Sequence, residues 1–166
     1  MPTTYEPIAT TTLGSAALSI TFSSIPATYT DLRVVLVGGS VDAGVNLQFQ
    51  VNGDTATNYS VTYMWGTGAT ANSSRLSNRS YGYGSFDSST TIPALVTYDF
   101  FSYAGSTFKT VLATGSLDKN GSGNTYQSVN LWRSTSAITS IALISGNGGS
   151  NWLTGTTATL YGIKNA

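Results

Sequence analysis

Apolar and polar residues alternate along most of this chain, which is the pattern of strands that bury one face. Leu18, Ile20 and Phe22 enclose the polar residues Ser19 and Thr21. The same period of two returns at residues 45–51 and 59–65. Further strand-like runs lie at residues 94–101, 108–117, 125–133, 138–145 and 157–163. The nearly continuous apolar run LRVVLV at residues 32–37 predicts a strand covered on both faces.

Turn residues separate these runs. NGD at residues 52–54 predicts a turn, and DKNGSGN at 118–124 and SGNGGSN at 145–151 predict hairpin loops. Residues 66–91 lose the alternation and are rich in Gly, Ser and Asn, so we expect a long loop excursion there. We predict an extended N-terminal segment over residues 1–14.

The predicted elements describe one all-β domain over residues 1–166. No segment shows apolar residues at helical spacing over ten residues together with a cap. The predicted fold class is a single-domain β-sandwich, a jelly roll of about eight to ten strands. Because the first and last strands of such a sandwich often share a sheet, TATLYGIKNA at residues 157–166 is predicted to be a closing strand that fills a place in the core.

Composition supports the all-β prediction and excludes several function classes. Charged residues make up 8% of the chain, against about 25% in typical soluble domains. Their place on solvent faces is taken by 23 Ser and 26 Thr, as suits strands. The net charge is zero and no run of Lys or Arg occurs, so we expect no nucleic-acid partner. A near-neutral surface is typical of a protein that packs against other subunits.

The chain lacks the usual residues of catalytic and metal sites. It has no Cys and no His, which removes thiolate ligands and the commonest general base. Two carboxylates brought together by folding would suit glycoside hydrolysis, yet six of the seven acidic residues lie at strand ends or in turns, where Asp bonds to the backbone. Asp54 lacks the spacing of a calcium loop. We predict that the protein is not an enzyme and uses no cofactor and no metal.

Membrane and export signals are also missing from the sequence. No stretch approaches the roughly 18 apolar residues of a membrane span, and MPTTYEPIAT has neither the basic nor the apolar region of a signal peptide. We therefore expect synthesis in the cytoplasm and no membrane partner.

Aromatic and arginine residues in and beside the predicted excursion form the main candidate site. Three interpretations stay open for them: packing of the loop onto the sandwich, an interface between subunits, or a platform for a glycan or receptor. The candidate residues are Trp65, Arg75, Arg79, Tyr81, Tyr83 and Phe86.

Three stretches resemble short β-rich structural proteins of tailed bacteriophages. They are TYEPIATTTLGSAALSITFSSIPATYTDLRVVLVG near the start, VNGDTATNYSVTYMWGTG in the middle and TATLYGIKNA at the end, while residues 66–91 match least. The resemblance implies a non-enzymatic β-sandwich of the virion, either a capsid decoration (cement) protein or a part of a tail tip or fibre, commonly a trimer. It carries no catalytic residues.

Between these roles, the chain favours capsid decoration. Receptor-binding fibres usually have a repetitive or coiled-coil shaft, and this sequence has none. We expect a homotrimer that binds the major capsid protein or other virion proteins. The alternative is a tail fibre or tail-tip module that binds a host receptor or glycan through Trp65, Tyr81, Tyr83 and Phe86. The N-terminal segment, with Tyr5, Pro7 and Ile8 as contact residues, is expected to lie against a neighbouring subunit.

Overall fold

The chain folds into two antiparallel β-sheets that pack face to face. A computed structural model describes residues 4–85 and 87–164, and of Asn147 the backbone only. These residues form a short 3₁₀ helix at Gly146–Gly148 and twelve strands: β1 (Tyr5–Thr12), β2 (Ser19–Phe22), β3 (Asp31–Gly38), β4 (Leu47–Val51), β5 (Tyr59–Gly66), β6 (Ala71–Arg79), β7 (Gly82–Ser85), β8 (Ala94–Phe100), β9 (Lys109–Asp118), β10 (Gly123–Trp132), β11 (Ile141–Ser145) and β12 (Thr157–Ile163).

The strand order is that of a jelly roll with two inserted hairpins. The large sheet has the order β1-β12-β3-β8-β9-β10-β5-β6, and the small sheet has the order β2-β11-β4-β7. An eight-stranded jelly roll places its first, eighth, third and sixth strands in one sheet and its second, seventh, fourth and fifth in the other. Without the hairpins β5–β6 and β9–β10, the remaining eight strands follow this order. The predicted all-β sandwich is therefore confirmed, and the hairpins widen the large sheet.

The core between the sheets is centred on Phe49 of β4. Its ring makes edge-to-face contacts with Tyr59 at 6.3 Å, Tyr98 at 5.3 Å and Phe100 at 5.3 Å between ring centroids. All four rings are fully buried. Strands β5 and β8 of the large sheet thus contact the small sheet through one aromatic cluster, which agrees with the alternation read from the sequence.

The predicted closing strand occupies an interior position. β12 pairs with β1 on one side and with β3 on the other, and Ala158 and Leu160 are buried in the core. The first and last strands therefore share a sheet, as predicted. The N-terminal residues Tyr5–Thr12 form the extended edge strand β1, which pairs on one side with the chain's own β12. Contact of this segment with a neighbouring subunit stays a prediction.

The predicted loop at residues 66–91 is wrong, because half of it forms β6 and β7. β6 pairs with β5 through a tight turn in which the Thr67 amide donates to the Thr70 carbonyl at 3.0 Å. β7 is glycine-rich because its backbone packs closely: a Cβ on Gly82 would lie 2.1 Å from the Phe49 ring, and one on Gly84 would lie 2.2 Å from the Tyr98 hydroxyl. Close contact, not loop flexibility, explains these glycines.

Two smaller predictions also need correction. β3 is covered on one face only, since Arg33, Val35 and Val37 point away from the small sheet while the residues between them are buried. The stretch SGNGGSN links β11 of the small sheet to β12 of the large sheet, so it is a crossover between sheets and not a hairpin loop.

The predicted turn after β4 is confirmed and carries the chain from the small sheet into β5. Asn52 and Gly53 have φ of 53° and 63°, and the Asp54 amide donates to the Val51 carbonyl at 2.9 Å. Two positive φ values in succession define a type I′ turn, for which Asn-Gly is the preferred pair.

Asp54 fixes this turn against β10. Its carboxylate accepts hydrogen bonds from Trp132 Nε1 at 2.7 Å and from Asn58 Nδ2 at 2.9 Å. The Ala56 amide donates a third bond at 2.9 Å. Burial alone would raise the pKa of Asp54, but these hydrogen bonds outweigh burial and hold the pKa below its ordinary value.

We expect Asp54→Asn to remove a pH-dependent part of the stability. A carboxyl with a lowered pKa in the folded state stabilises the fold above its unfolded pKa of about 4, and this contribution is lost as pH falls through the folded value. Near neutral pH the variant should lose about 1–2 kcal/mol of unfolding free energy, and the difference should shrink towards about pH 2. Urea titrations at several pH values measure this. Asp118→Asn, at the exposed last residue of β9, is the control; a deficit that does not change with pH would contradict the prediction.

Candidate interaction surface

The outer face of the large sheet, defined as the face turned away from the small sheet, is open. It carries the odd-numbered residues of β3, β8 and β10 and the even-numbered residues of β5 and β9, whose neighbours point into the core. Five large apolar side chains on it are between 39% and 57% exposed: Val37, Met64, Leu95, Leu112 and Val129. Leu112 lies directly opposite Val129, and Val37 lies directly opposite Leu95.

Threonines and an Arg–Asp ion pair lie around these apolar residues. Thr97 lies directly opposite Thr114 across β8 and β9. Arg33 and Asp99 form a bidentate ion pair, with Nε–Oδ1 at 2.5 Å and Nη2–Oδ2 at 2.8 Å. The Arg33 guanidinium also lies over the Tyr5 ring, 5.9 Å from its centroid. The middle of the outer face is thus apolar and hydroxyl-rich, with little net charge.

The outer face is large enough for a stable protein interface. Strands spaced by about 4.8 Å, with about eight residues each at about 3.3 Å per residue, make eight strands roughly 34 Å wide and 26 Å long. The resulting area of roughly 900 Å² is enough for the roughly 800 Å² that one partner contributes to a standard interface. Apolar side chains surrounded by polar ones are typical of such surfaces.

A second cluster lies on the inner face of the hairpin extension. Trp65 and Tyr63 of β5 stack with centroids 5.4 Å apart, and Tyr63 and Tyr126 of β10 are 5.6 Å apart. We call these three rings, with Tyr83 of β7, the aromatic cluster. Tyr83 and Tyr126 are buried, whereas Tyr63 and Trp65 are half-buried. A groove of about 610 Å³ lies on the opposite, outer face of the same strands, lined mainly by outer-face residues such as Met64, Ser73, Thr114 and Gln127.

The structure divides the predicted site residues between two faces. Trp65 and Tyr83 belong to the aromatic cluster, and Arg79 joins them through Nη2, which donates to the Tyr83 hydroxyl at 3.0 Å. Arg75 lies on the outer face, where its Nε donates to Thr62 Oγ1 at 3.2 Å. Tyr81 is half-buried in the connection between β6 and β7.

The structure corrects the predicted platform at Tyr83. Tyr83 is 1% exposed, so its ring packs in the interior and is not part of an exposed platform. Phe86 lies outside the described residues. Tyr63 and Tyr126 were not among the predicted residues: the alternation in β5 marks Tyr63 as a neighbour of Trp65, but Tyr126 reaches them only through the pairing of β5 with β10.

The predicted N-terminal contact residues lie at the edge of the large sheet. Tyr5 stacks on Tyr161 of β12 at 4.9 Å. Ile8 packs against the main core, and a register shift separates Pro7 from Ala9. These contacts are made within the chain.

Buried serine hydroxyls bond to one another and connect two loops of the fold. A chain of buried hydroxyls runs from Ser145 to Ser40 at 2.8 Å and on to Ser150 at 2.8 Å, and the Ser150 hydroxyl donates to Asp42 at 2.6 Å. It ties the β3–β4 connection to the β11–β12 crossover. Within residues 4–85 and 87–164, no three His, Cys, Asp or Glu side chains are grouped so as to hold a metal ion.

Comparison with known proteins gives no relative: no family model, no curated protein and no solved structure matches the chain. In the described part of the chain, no helix is long and apolar enough to cross a membrane.

Proposed function

We propose that this protein is a non-enzymatic structural component of a phage virion, a capsid decoration protein that binds the major capsid protein through its outer face. The observation that carries the proposal is the open, charge-poor outer face with its apolar residues around Leu112 and Val129. Its area suits a standard interface, and its hydroxyl-rich surroundings suit attachment to a preformed surface. The resemblance to short β-rich phage proteins adds the virion as the location.

The proposal includes self-association, with a homotrimer as the form that the resemblance implies. A zero net charge supports close packing of copies, because it leaves little long-range repulsion between them.

A direct experiment is to compare particles with and without this protein. Decorated capsids should keep their contents to a higher temperature than undecorated ones, and adding back the purified protein should restore that temperature. Light scattering of the free protein gives the oligomer mass. Absence of the protein from purified particles would overturn the decoration role.

The aromatic cluster favours a second candidate, a tail-associated module that binds a glycan or host receptor. Half-buried Trp65 lies directly opposite exposed Asn72 on the inner face of the β5–β6 hairpin, and aromatic rings with nearby amides suit sugar rings. We expect any binding on an array of host polysaccharides to fall at least tenfold in Trp65→Ala. Phe108→Ala is the control: it removes an exposed ring just before β9, seven residues from Gly115, the β9 residue that pairs with Tyr126 of the aromatic cluster. A blank array for the wild-type protein would contradict this candidate.

A further inference from the structure

The outer edge of β6 is the least protected sheet edge among the strands that the structure describes. β6 has nine residues, of which seven are exposed, and its register shift lies beyond Leu76, so residues 71–75 form a regular edge whose one charged residue is Arg75. An unpaired edge presents free backbone N–H and C=O groups that another strand can bond. Natural sheets normally protect such edges with proline, charges, bulges or short strands.

The other three edges are protected. β1 carries Pro7 and a register shift beside it. β2 and β7 have four residues each. At β7, moreover, the side chains of β10 take the place of a strand: the Tyr83 amide donates to Asn130 Oδ1 at 2.8 Å, and its carbonyl accepts from Ser128 and Asn130 at 3.0 Å.

The hydrogen-bond alternation identifies the free groups of β6. Thr67 and Thr70 form a bonded pair at the turn, so Trp65–Asn72 and Tyr63–Ser74 are the next bonded pairs along the ladder. The residues that alternate with Asn72 and Ser74 along β6 direct their backbone N–H and C=O groups away from β5. They are Ala71, Ser73 and Arg75. The Arg75 side chain lies back over the sheet on Thr62 and leaves this edge clear.

We propose that this edge pairs with β6 of a second copy, antiparallel about a two-fold axis at Ser73. This register sets Ser73 opposite its own counterpart and Ala71 opposite Arg75, in both directions. In this register, the backbone groups of Ala71, Ser73 and Arg75 on each strand bond to the other copy, which gives about six backbone hydrogen bonds. The two large sheets become one continuous sheet.

The charges and sizes of the side chains suit this register. The two Arg75 residues lie four positions apart along the paired strands, roughly 13 Å, which exceeds the screening length of about 8 Å at physiological salt. Each Arg75 lies opposite the small residue Ala71 of the other copy, and the two-fold axis passes between the two small Ser73 residues. The inference does not depend on the decoration role, and a two-fold contact is separate from the interface of a trimer.

Disulfide trapping tests the register. The chain contains no cysteine, so Ser73→Cys introduces a single thiol on each copy. Bonded antiparallel pairs have Cα atoms about 5.5 Å apart, which is within the range for a disulfide. We expect mild oxidation of Ser73→Cys to give mainly disulfide-linked dimer. Ser77→Cys, exposed on the same strand, should stay mainly monomeric on reducing-agent-free gels, because the proposed register places its two thiols roughly 27 Å apart.

Sedimentation velocity of the full chain provides the second test. The wild-type protein should show concentration-dependent association, and Ser73→Lys should weaken it at least tenfold, whereas Thr114→Lys, the same change at an exposed position in the middle of the sheet, should not. Circular dichroism checks that each variant is folded. Equal crosslinking of the two cysteine variants, or association unchanged by Ser73→Lys, would overturn the inference and leave the decoration proposal standing.

Discussion

Phe49→Ala should lower the free energy of unfolding by about 3–5 kcal/mol. Phe49 has no exposed surface and makes edge-to-face contacts with three buried rings from two strands of the large sheet. Alanine would leave a cavity at the centre of the sandwich, because the rings on β5 and β8 are fixed by their strands and cannot close it. The change is therefore expected to be among the most destabilising single substitutions in the chain.

The measurement is denaturant unfolding followed by tryptophan fluorescence, with a thermal melt beside it. For a domain of this size, a loss of that magnitude corresponds to a fall of about 6–20 °C in Tm. Phe108→Ala is the matched control, since its ring is 54% exposed and its removal should change stability by less than about 0.5 kcal/mol. A loss below about 1 kcal/mol for Phe49→Ala would contradict the described core.

Leu112→Asp should reduce binding to undecorated capsids about 100-fold if the outer face is the attachment surface. The substitution places a charge at the centre of the proposed interface, where it would be buried without a partner. The fold should tolerate it, because the Leu112 side chain is exposed in the free protein. Cosedimentation of the purified variant with capsids that lack the protein measures the effect.

Leu18→Asp is the matched control for this substitution. It makes the same chemical change at an exposed leucine just before β2 of the small sheet, away from the outer face. Both variants have the same net charge, so a difference between them reports position and not long-range electrostatics. Equal capsid binding by the two variants would rule out the outer face as the attachment surface.

Strands that alternate between a buried and an exposed face were predictable from sequence, whereas β6 and β7, which do not alternate, were not. β8, β9, β10 and β12 appear within two residues of the predicted bounds because their alternating residues face the core. β6 is exposed along nearly its whole length, so no burial imposes a period on its residues. β7 is buried throughout, and its glycines are demanded by rings on other strands.

Lys109 is a charged side chain that the folded structure buries, with partners from the loop just before its strand. It occupies an inward position of β9 in line with Val111, and it is fully buried. Its Nζ donates to the carbonyl oxygens of Gly105 at 2.7 Å and of Thr107. Burial lowers its pKa. A lysine ammonium group ordinarily lies in solvent, but the loop carbonyls gathered at this point accept its hydrogen bonds and allow it to be buried.

The sequence by itself determined the all-β class, the main strands, the Asn-Gly turn and the closing strand. These features depend on local signals: period-two burial, φ preferences and a shortage of charge. Only the tertiary structure decided that two hairpins widen one sheet, that Tyr126 lies beside Tyr63 and Trp65, and that the outer face and the β6 edge stay open. Those outcomes depend on which strands become neighbours, and strand pairing is set by contacts between residues far apart in the chain, which no local pattern records.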